Sequence, residues 1–173
     1  MAPAHTMDEI TRLVEQYGND VLRTAYVILK SKELAEDVYQ ETFLRVCRSY
    51  DRYRGDCSEK TWIVGIAVNI CRDYMRSAWK KRVVVTDDFL NYTGDGGTEE
   101  LIERKQARQE VVKAVLDLPD KYREIVQLYY YQEMDVKDIA RVLKIPAGTV
   151  KSRLFKARNL LHDRMGGEAY GYK

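Results

Sequence analysis

Apolar residues recur along most of this chain every three or four positions, which is the spacing of one face of an α-helix. Three helices are predicted in the first half of the chain, with N-caps at Asp8, Ser31 and Ser58. The first is expected to break or kink at Gly18-Asn19, the second to reach about Ser49 and the third to reach about Lys81. No segment alternates convincingly between apolar and polar residues, so the pattern predicts an all-α fold.

The helical period is lost from residue 83 to about residue 100, where the sequence TDDFLNYTGDGGTEE holds three glycines and a surplus of acids. This composition predicts a flexible acidic linker, and helix is expected again over residues 99–116. The predicted division is a helical domain over 1–82, a linker over 83–105 that runs into the next helix, a second helical domain over 106–165 and a frayed tail over 166–173. Because the linker lacks apolar periodicity, the two domains are expected to make few obligatory mutual contacts.

The second domain contains two short helical patterns joined by a turn. Asp135 is the predicted N-cap of the first, whose apolar residues are Val136, Ile139, Ala140 and Leu143. Pro146 enforces the turn. The helix that follows gathers its apolar residues in a narrow arc, at Val150, Leu154, Ala157 and Leu161. This pattern predicts a helix-turn-helix, in which the second helix enters the major groove of DNA by its amino-terminal end.

The free face of that second helix carries the candidate DNA contacts. Its outward residues are Gly148, Ser152, Phe155, Lys156 and Asn159, with Thr149 and Lys151 on the flanks. Small residues at positions 147 and 148 would let the backbone amides approach a phosphate closely. An ordinary helical hairpin with a solvated basic face is the plainer alternative. The agreement of buried stripe, turn and charge favours DNA binding over it.

The predicted second helix has an apolar face and an opposite face that carries Asp37, Gln40, Glu41, Leu44 and Arg48. An exposed leucine surrounded by acids and amides suits docking to a protein with a basic surface. A solvated face with one exposed leucine explains the same residues equally well by physics alone, since single exposed apolar residues are normal.

The predicted third helix carries a polar ladder on one side, formed by Thr61, Gly65, Asn69, Arg72 and Arg76. Asparagine and arginine at this pitch can bind phosphates and base edges. Glycine inside a helix costs about 1 kcal/mol relative to alanine, which indicates close approach by a partner or by another helix at Gly65. The basic run Lys80-Lys81-Arg82 extends the ladder.

The distribution of charge fits this interpretation. Residues 1–82 hold 14 Lys/Arg against 12 Asp/Glu, residues 83–105 hold 2 against 6, and residues 106–173 hold 13 against 9. Two mildly basic blocks joined by an acidic strip are suited to approach nucleic acid. The three cysteines include no C-x-x-C pair and predict reduced thiols in a cytosolic protein. Neither a signal peptide nor a run of 18 apolar residues occurs, so membrane insertion is not expected.

Three stretches carry a family resemblance: AEDVYQETFLRV, TWIVGIAVNICRDYMR and LPDKYREIVQLYYYQEMDVKDIARVLKIPAGTVKSRLFKARNLL. In this order and at these separations they resemble the sigma factors of bacterial RNA polymerase, in the extracytoplasmic-function (ECF) group. They cover most of the chain outside the linker and the tail. The resemblance implies a transcription-initiation factor that is not an enzyme and needs no cofactor.

The resemblance also implies roles for the residues singled out above. The face of Asp37, Gln40, Glu41 and Leu44 would bind the clamp helices of core RNA polymerase. The minus-ten promoter element would be opened and read by the loop at residues 51–59 together with Thr61, Asn69, Arg72 and Arg76. The minus-thirty-five element would be read by Gly148, Thr149, Lys151, Ser152, Arg153, Phe155, Lys156 and Arg158.

The partners implied are core RNA polymerase, double-stranded and melted promoter DNA and, as a further candidate, an anti-sigma factor. The main alternative is a conventional helix-turn-helix regulator with an amino-terminal sensing or dimerising domain. That reading leaves the Asp37–Leu44 face and the Asn69–Arg76 ladder without a purpose. A nucleic-acid enzyme is disfavoured, because the sequence offers no metal-ligand cluster, no Gly-rich phosphate loop and no supported nucleophile–base pair.

Overall fold

The structure is a computed structural model that describes residues 7–78 and 99–166. The helices within these two ranges are α1 (Met7–Leu29), α2 (Lys32–Ser49), α3 (Glu59–Ala78), α4 (Glu99–Leu116), α5 (Asp120–Val126), α6 (Val136–Leu143) and α7 (Ala147–Arg164). A 3₁₀ turn follows α2 at Tyr50–Arg52, and a π-helical turn follows α5 at Gln127–Tyr131. No strand lies within the described ranges, and the all-α prediction is confirmed.

Three of the four predicted helix caps are present where the sequence placed them, whereas the predicted cap Asp8 lies inside α1, which already includes Met7. The side chains of Ser31, Ser58 and Asp135 each accept a hydrogen bond from the backbone N–H three residues ahead, at 3.3, 3.0 and 2.7 Å. After α6, Lys144 takes the left-handed conformation (φ 54°) that ends a helix sharply. Pro146 then precedes α7, and the two helices form the predicted helix-turn-helix.

The predicted break at Gly18-Asn19 is wrong, because α1 runs through it without interruption. A Cβ atom on Gly18 would stand 3.2 Å from the ring of Tyr39 in α2. The glycine therefore allows two helices to approach each other closely. Its low helix propensity is outweighed by the packing that this approach permits.

Two helical units are present, as predicted. Helices α1, α2 and α3 pack on one another around buried residues such as Leu13, Val21, Val38, Val46 and Ile63. Helices α4 to α7 form the second unit, in which α5 and α6 pack against α7. The predicted domain boundaries remain a prediction, since residues 79–98 and 167–173 lie outside the described part of the chain.

The two units contact each other in this structure, and the expectation that few of these contacts are obligatory stays a prediction. Val142 of α6 packs against Gly65 of α3, where an added Cβ would stand 3.2 Å from a Val142 methyl carbon. The sequence predicts an inward face of α3 formed by Trp62, Ile63, Ile66, Ala67, Ile70 and Tyr74, but the helix also buries Val64 and Val68 completely, outside that face. Because α3 is apolar over a wider arc than that face, its surface contacts α6 as well as its own unit. The expectation about contacts rested on the composition of the linker, which does not indicate how wide the apolar arc of α3 is.

A buried arginine forms the polar centre of the contact between the units. Arg123 of α5 is 3% exposed, and it donates to the carbonyl oxygens of Val27 (2.7 Å) and Ile28 (2.9 Å) at the end of α1. It also donates to the Leu118 carbonyl at 2.7 Å and to Asp120 at 2.6 Å. The last carbonyls of a helix have no partner within that helix, so Arg123 completes the hydrogen bonding of α1 from the other unit.

Arg123→Ala should destabilise the full chain by about 2–4 kcal/mol, because two buried α1 carbonyls and the Leu118 carbonyl lose their donor. Urea unfolding followed by circular dichroism measures this loss. Asp120→Asn is the control, since it weakens only an ion pair whose carboxylate side chain is 71% exposed. It should change stability by less than about 1 kcal/mol. Equal losses in the two variants would contradict the assigned role of Arg123.

Candidate nucleic-acid interfaces

Helix α7 presents its predicted outward face to solvent. Val150, Leu154 and Ala157 are buried against the rest of the unit, as the periodicity predicts. The residues on the opposite side are exposed, namely Gly148, Lys151, Ser152, Phe155, Lys156, Arg158 and Asn159. Phe155 is 63% exposed, which is unusual for a large apolar side chain. The helix thus offers cations, a hydroxyl and an aromatic ring along one accessible stripe.

Two predicted contacts on α7 lie partly inside the unit. Thr149 and Arg153 are half-buried. The Arg153 guanidinium stands 4.0 Å from the Glu124 carboxylate of α5 and so turns away from the outward stripe. In this arrangement Arg153 cannot contact a base beside Ser152 and Phe155 unless it leaves Glu124.

Arg158 contacts two tyrosines, Tyr129 and Tyr130, of the π-helical turn that follows α5. Its Nε donates to the Tyr130 hydroxyl at 2.6 Å, and its guanidinium lies 5.8 Å from the ring centres of Tyr129 and Tyr130. The hydrogen bond that Arg158 donates to Tyr130 is the main cause that raises the pKa of Arg158. Tyr129 does pack against the core, but Tyr130 is largely exposed. Tyr130 and Arg158 are 28 positions apart, and the sequence carries no signal of a contact at that separation.

The ladder on α3 lies on one side of the helix, but the second unit covers much of it. Thr61 is buried and Gly65 contacts Val142, which identifies the close approach expected at this glycine. Arg72 pairs with Glu124 and donates to the Leu143 carbonyl at 2.7 Å. Asn69 is half-buried.

Only the far end of the ladder projects freely toward solvent. The Arg76 side chain is 77% exposed, 3.9 Å from Asp73. Lys80, Lys81 and Arg82 were predicted to extend the ladder and lie outside the described residues.

The loop between α2 and α3 is built on an aromatic cluster. The rings of Tyr50, Tyr53 and Trp62 lie 5.2–6.0 Å apart. The Tyr53 hydroxyl donates to the Cys57 carbonyl, which closes the loop, and Gly55 adopts a positive φ of 74° at its tip. The loop is therefore anchored at both ends while its tip stays accessible.

Glu59, at the start of α3, ties this loop to α1. Its carboxylate accepts from Arg12 at 2.9 and 3.1 Å, from Tyr50 at 2.5 Å and from Tyr17 at 3.3 Å. These hydrogen bonds, above all the one from Arg12, hold the pKa of Glu59 below its ordinary value. Hydrogen bonding to Glu59 also raises the pKa of Tyr50 to about 12.

The face of α2 opposite the core carries the predicted docking residues. Asp37, Gln40 and Leu44 are exposed, with Leu44 at 56%, and Glu41 is half-buried and paired with Arg45. Behind them the helix buries Ala35, Val38, Thr42 and Val46. The predicted division of α2 into a core face and an outer face is confirmed.

Cys47, Cys57 and Cys71 are free thiols, and burial raises the pKa of Cys71. Within residues 7–78 and 99–166, no group of three or more His, Cys, Asp or Glu side chains could hold a metal ion. In the same part of the chain, no helix is both long enough and apolar enough to cross a membrane.

Glu59→Gln should lower the free energy of unfolding by about 1 kcal/mol at pH 7, because the charged acceptor of Arg12 is lost at a partly exposed site. The folded-state pKa of Glu59 is depressed, so its contribution is present above the unfolded pKa and lost as pH falls through the folded value. The difference from the parent should therefore shrink below about pH 4. Urea unfolding at several pH values measures it. Glu15→Gln, at an exposed position of α1, is the control, and a constant difference down to pH 3 would contradict the assignment.

Residues 13–81 match the family Sigma-70 region 2, and residues 108–161 match the family Sigma-70, region 4. The chain is 34% identical to the ECF RNA polymerase sigma factor SigM of Bacillus subtilis, over 90% of this chain and 93% of that protein. It is 31% identical to the ECF RNA polymerase sigma-E factor of Haemophilus influenzae, over 88% and 85%.

The fold is similar to that of two solved structures. One is RpoE in complex with the anti-sigma factor NepR from Bartonella quintana, with a TM-score of 0.74 and 20% identity over 94% of this chain and all of that one. The other is CnrH in complex with the cytosolic domain of CnrY, with a TM-score of 0.67 and 20% identity over 97% and 94%. With both sigma regions matched in order and relatives above 30% identity along nearly the whole length, the chain belongs to the ECF sigma factors of RNA polymerase.

Proposed function

We propose that this sigma factor recruits core RNA polymerase through the outer face of α2 and recognises promoters through α3 and α7. The observation that carries the proposal is the position of two accessible, chemically distinct helix faces within the two matched sigma regions. A conventional regulator would leave the α2 face and the α3 ladder unexplained. Sigma factors of this family direct promoter-specific initiation and are not enzymes.

The polymerase-binding surface of the proposal consists of Asp37, Gln40, Glu41 and Leu44. A helix whose opposite face is buried in the core holds these side chains rigidly, which lowers the entropy lost on binding. Leu44 provides an apolar anchor, and the carboxylates around it complement a basic partner surface.

The minus-thirty-five surface of the proposal lies on α7. Lys151, Lys156 and Arg158 are placed to bind phosphates, whereas Ser152 and Phe155 are placed to read a base edge or a thymine methyl. The amino-terminal turn with Gly148 and Thr149 would meet the backbone of the DNA. Arg153 joins this surface once it leaves Glu124.

The minus-ten surface of the proposal combines the loop at residues 51–59 with Thr61, Asn69, Arg72 and Arg76. The loop would capture an unpaired base, and the ladder would hold the adjacent backbone. Because Arg72 is bound by Glu124 and the Leu143 carbonyl of the second unit, this part of the surface becomes available only when the two units separate.

An anti-sigma factor is a further partner in the proposal, since the two similar solved structures are complexes of sigma factors with such proteins or with a cytosolic partner domain. The proposed location is the cytoplasm, because polymerase and promoter DNA are there.

The proposal is tested by adding the purified chain to core polymerase and measuring promoter-specific transcripts. Leu44→Ala and Asp37→Arg should each weaken core binding by about tenfold, since an apolar anchor and a complementary charge are removed from the centre of the surface. Their melting curves should match the parent, because surface changes usually stay within about 0.5 kcal/mol. Lys32→Ala, at the start of α2, is the control and should bind normally. Unchanged core affinity in both variants would remove the α2 face from the proposal.

Tyr130→Phe should weaken promoter binding by holoenzyme about threefold, because Arg158 keeps its charge but loses the hydrogen bond that orders it. Arg158→Ala should weaken binding more and reduce the salt slope by about one unit, as loss of a phosphate contact does. Fluorescence anisotropy at several salt concentrations separates the two effects. Asn159→Ala is the control on the same helix, and a reduced salt slope in Tyr130→Phe would contradict the positioning role.

A further inference from the structure

One carboxylate in the second unit is shared by arginines from both proposed DNA-binding surfaces. The Glu124 side chain is 5% exposed. It accepts from Arg72 of α3 at 3.0 and 3.3 Å, and the guanidinium of Arg153 on α7 stands 4.0 Å away. Arg72 belongs to the minus-ten surface and Arg153 to the minus-thirty-five surface. The Glu124 carboxylate is therefore paired with one arginine from each of the two proposed surfaces.

The second unit also covers other parts of the minus-ten surface. The remaining Arg72 nitrogen donates to the Leu143 carbonyl, at the end of α6. Arg141 of α6 donates to the Asp56 carbonyl in the loop proposed to capture a base, at 3.4 Å. With Val142 against Gly65, these contacts place the second unit over the middle of the ladder and against one side of the loop, whereas the loop tip and Arg76 stay exposed.

We propose that Glu124 is an internal competitor for promoter DNA, which occupies Arg72 and Arg153 in the closed chain and releases both when the units separate. The inference rests on the proposed function of these two surfaces. A DNA phosphate or base edge must displace the carboxylate before either arginine can bind it. The affinity of the free chain for DNA is then reduced by the fraction of molecules that are open.

The dimensions of a promoter require this separation. The two elements lie about 25 base pairs apart by their names, which is roughly 85 Å of straight duplex at 3.4 Å per pair. A compact chain of this length has a radius of gyration of about 16 Å. The closed arrangement therefore cannot contact both elements together.

The contact between the units contains buried polar groups, which favour its opening. The Thr24 hydroxyl accepts from the amides of Gln127 (3.3 Å) and Gln132 (3.0 Å), across the two units. The Oε1 atoms of both glutamines are buried and have no hydrogen-bond partner among the described residues. Buried polar groups without partners and a desolvated ion pair each offset part of the apolar stabilisation. These groups therefore make the closed state less stable than the apolar packing between the units would make it alone.

The test uses the full chain without polymerase. Glu124→Gln removes the charge that holds both arginines and should increase the radius of gyration in small-angle X-ray scattering. Its affinity for a labelled promoter duplex should rise about tenfold, because a larger fraction of the chain is open. The duplex is one that the parent holoenzyme transcribes. Glu133→Gln is the matched control, since it makes the same change in net charge at an exposed position of the same unit.

Thr24→Val is the second variant, in case Glu124→Gln does not fold. It removes the acceptor of the two glutamine amides at a site far in sequence from every proposed DNA contact, and it should open the chain and raise DNA affinity in the same direction. If the parent holoenzyme initiates correctly but both folded variants scatter X-rays and bind DNA as the parent chain does, the inference is overturned. Opening without any gain in DNA affinity would overturn the competitor role. A parent holoenzyme without promoter-specific transcripts would instead overturn the proposed function.

Discussion

The contact between α3 and the second helical unit determines what each promoter-binding surface presents. Gly65 makes the contact possible, because any larger side chain there would meet Val142. Arg123 and Arg72 then supply its directional part, each donating to carbonyl groups at a helix end that would otherwise lack partners. The same geometry that completes the ends of α1 and α6 covers the amino-terminal part of the α3 ladder.

This arrangement makes α3 serve two requirements that conflict. Its apolar residues hold the first unit together, whereas in the proposed function its polar side must reach melted DNA. A permanent apolar cover over the ladder would prevent that. Beside its apolar packing, the contact contains guanidinium, carboxylate and amide groups, which can be solvated when the units separate. Polar groups of this kind lower the free energy required for opening, relative to an apolar interface of the same area.

The two proposed DNA-binding surfaces differ in whether they are accessible in the closed chain. Helix α7 is supported from behind by Val150, Leu154 and Ala157, and its outward stripe is accessible before any partner binds. The minus-ten loop is equally well anchored, by its aromatic cluster and by Glu59, but its neighbour α3 is covered. One surface is thus ready in the closed chain, and the other depends on separation of the units.

The sequence by itself determined the helices, their caps, the helix-turn-helix and the outer faces of α2 and α7, because each follows from the 3.6-residue period and from side chains that bond to their own helix ends. Only the tertiary structure decided what the glycines and arginines do. Gly18 lies against Tyr39 within an uninterrupted helix, and Arg153 turns to Glu124 instead of outward. The sequence also gave no indication of the closed contact between the units. Each of these depends on residues distant in the sequence, and local periodicity contains no information about which distant surfaces meet.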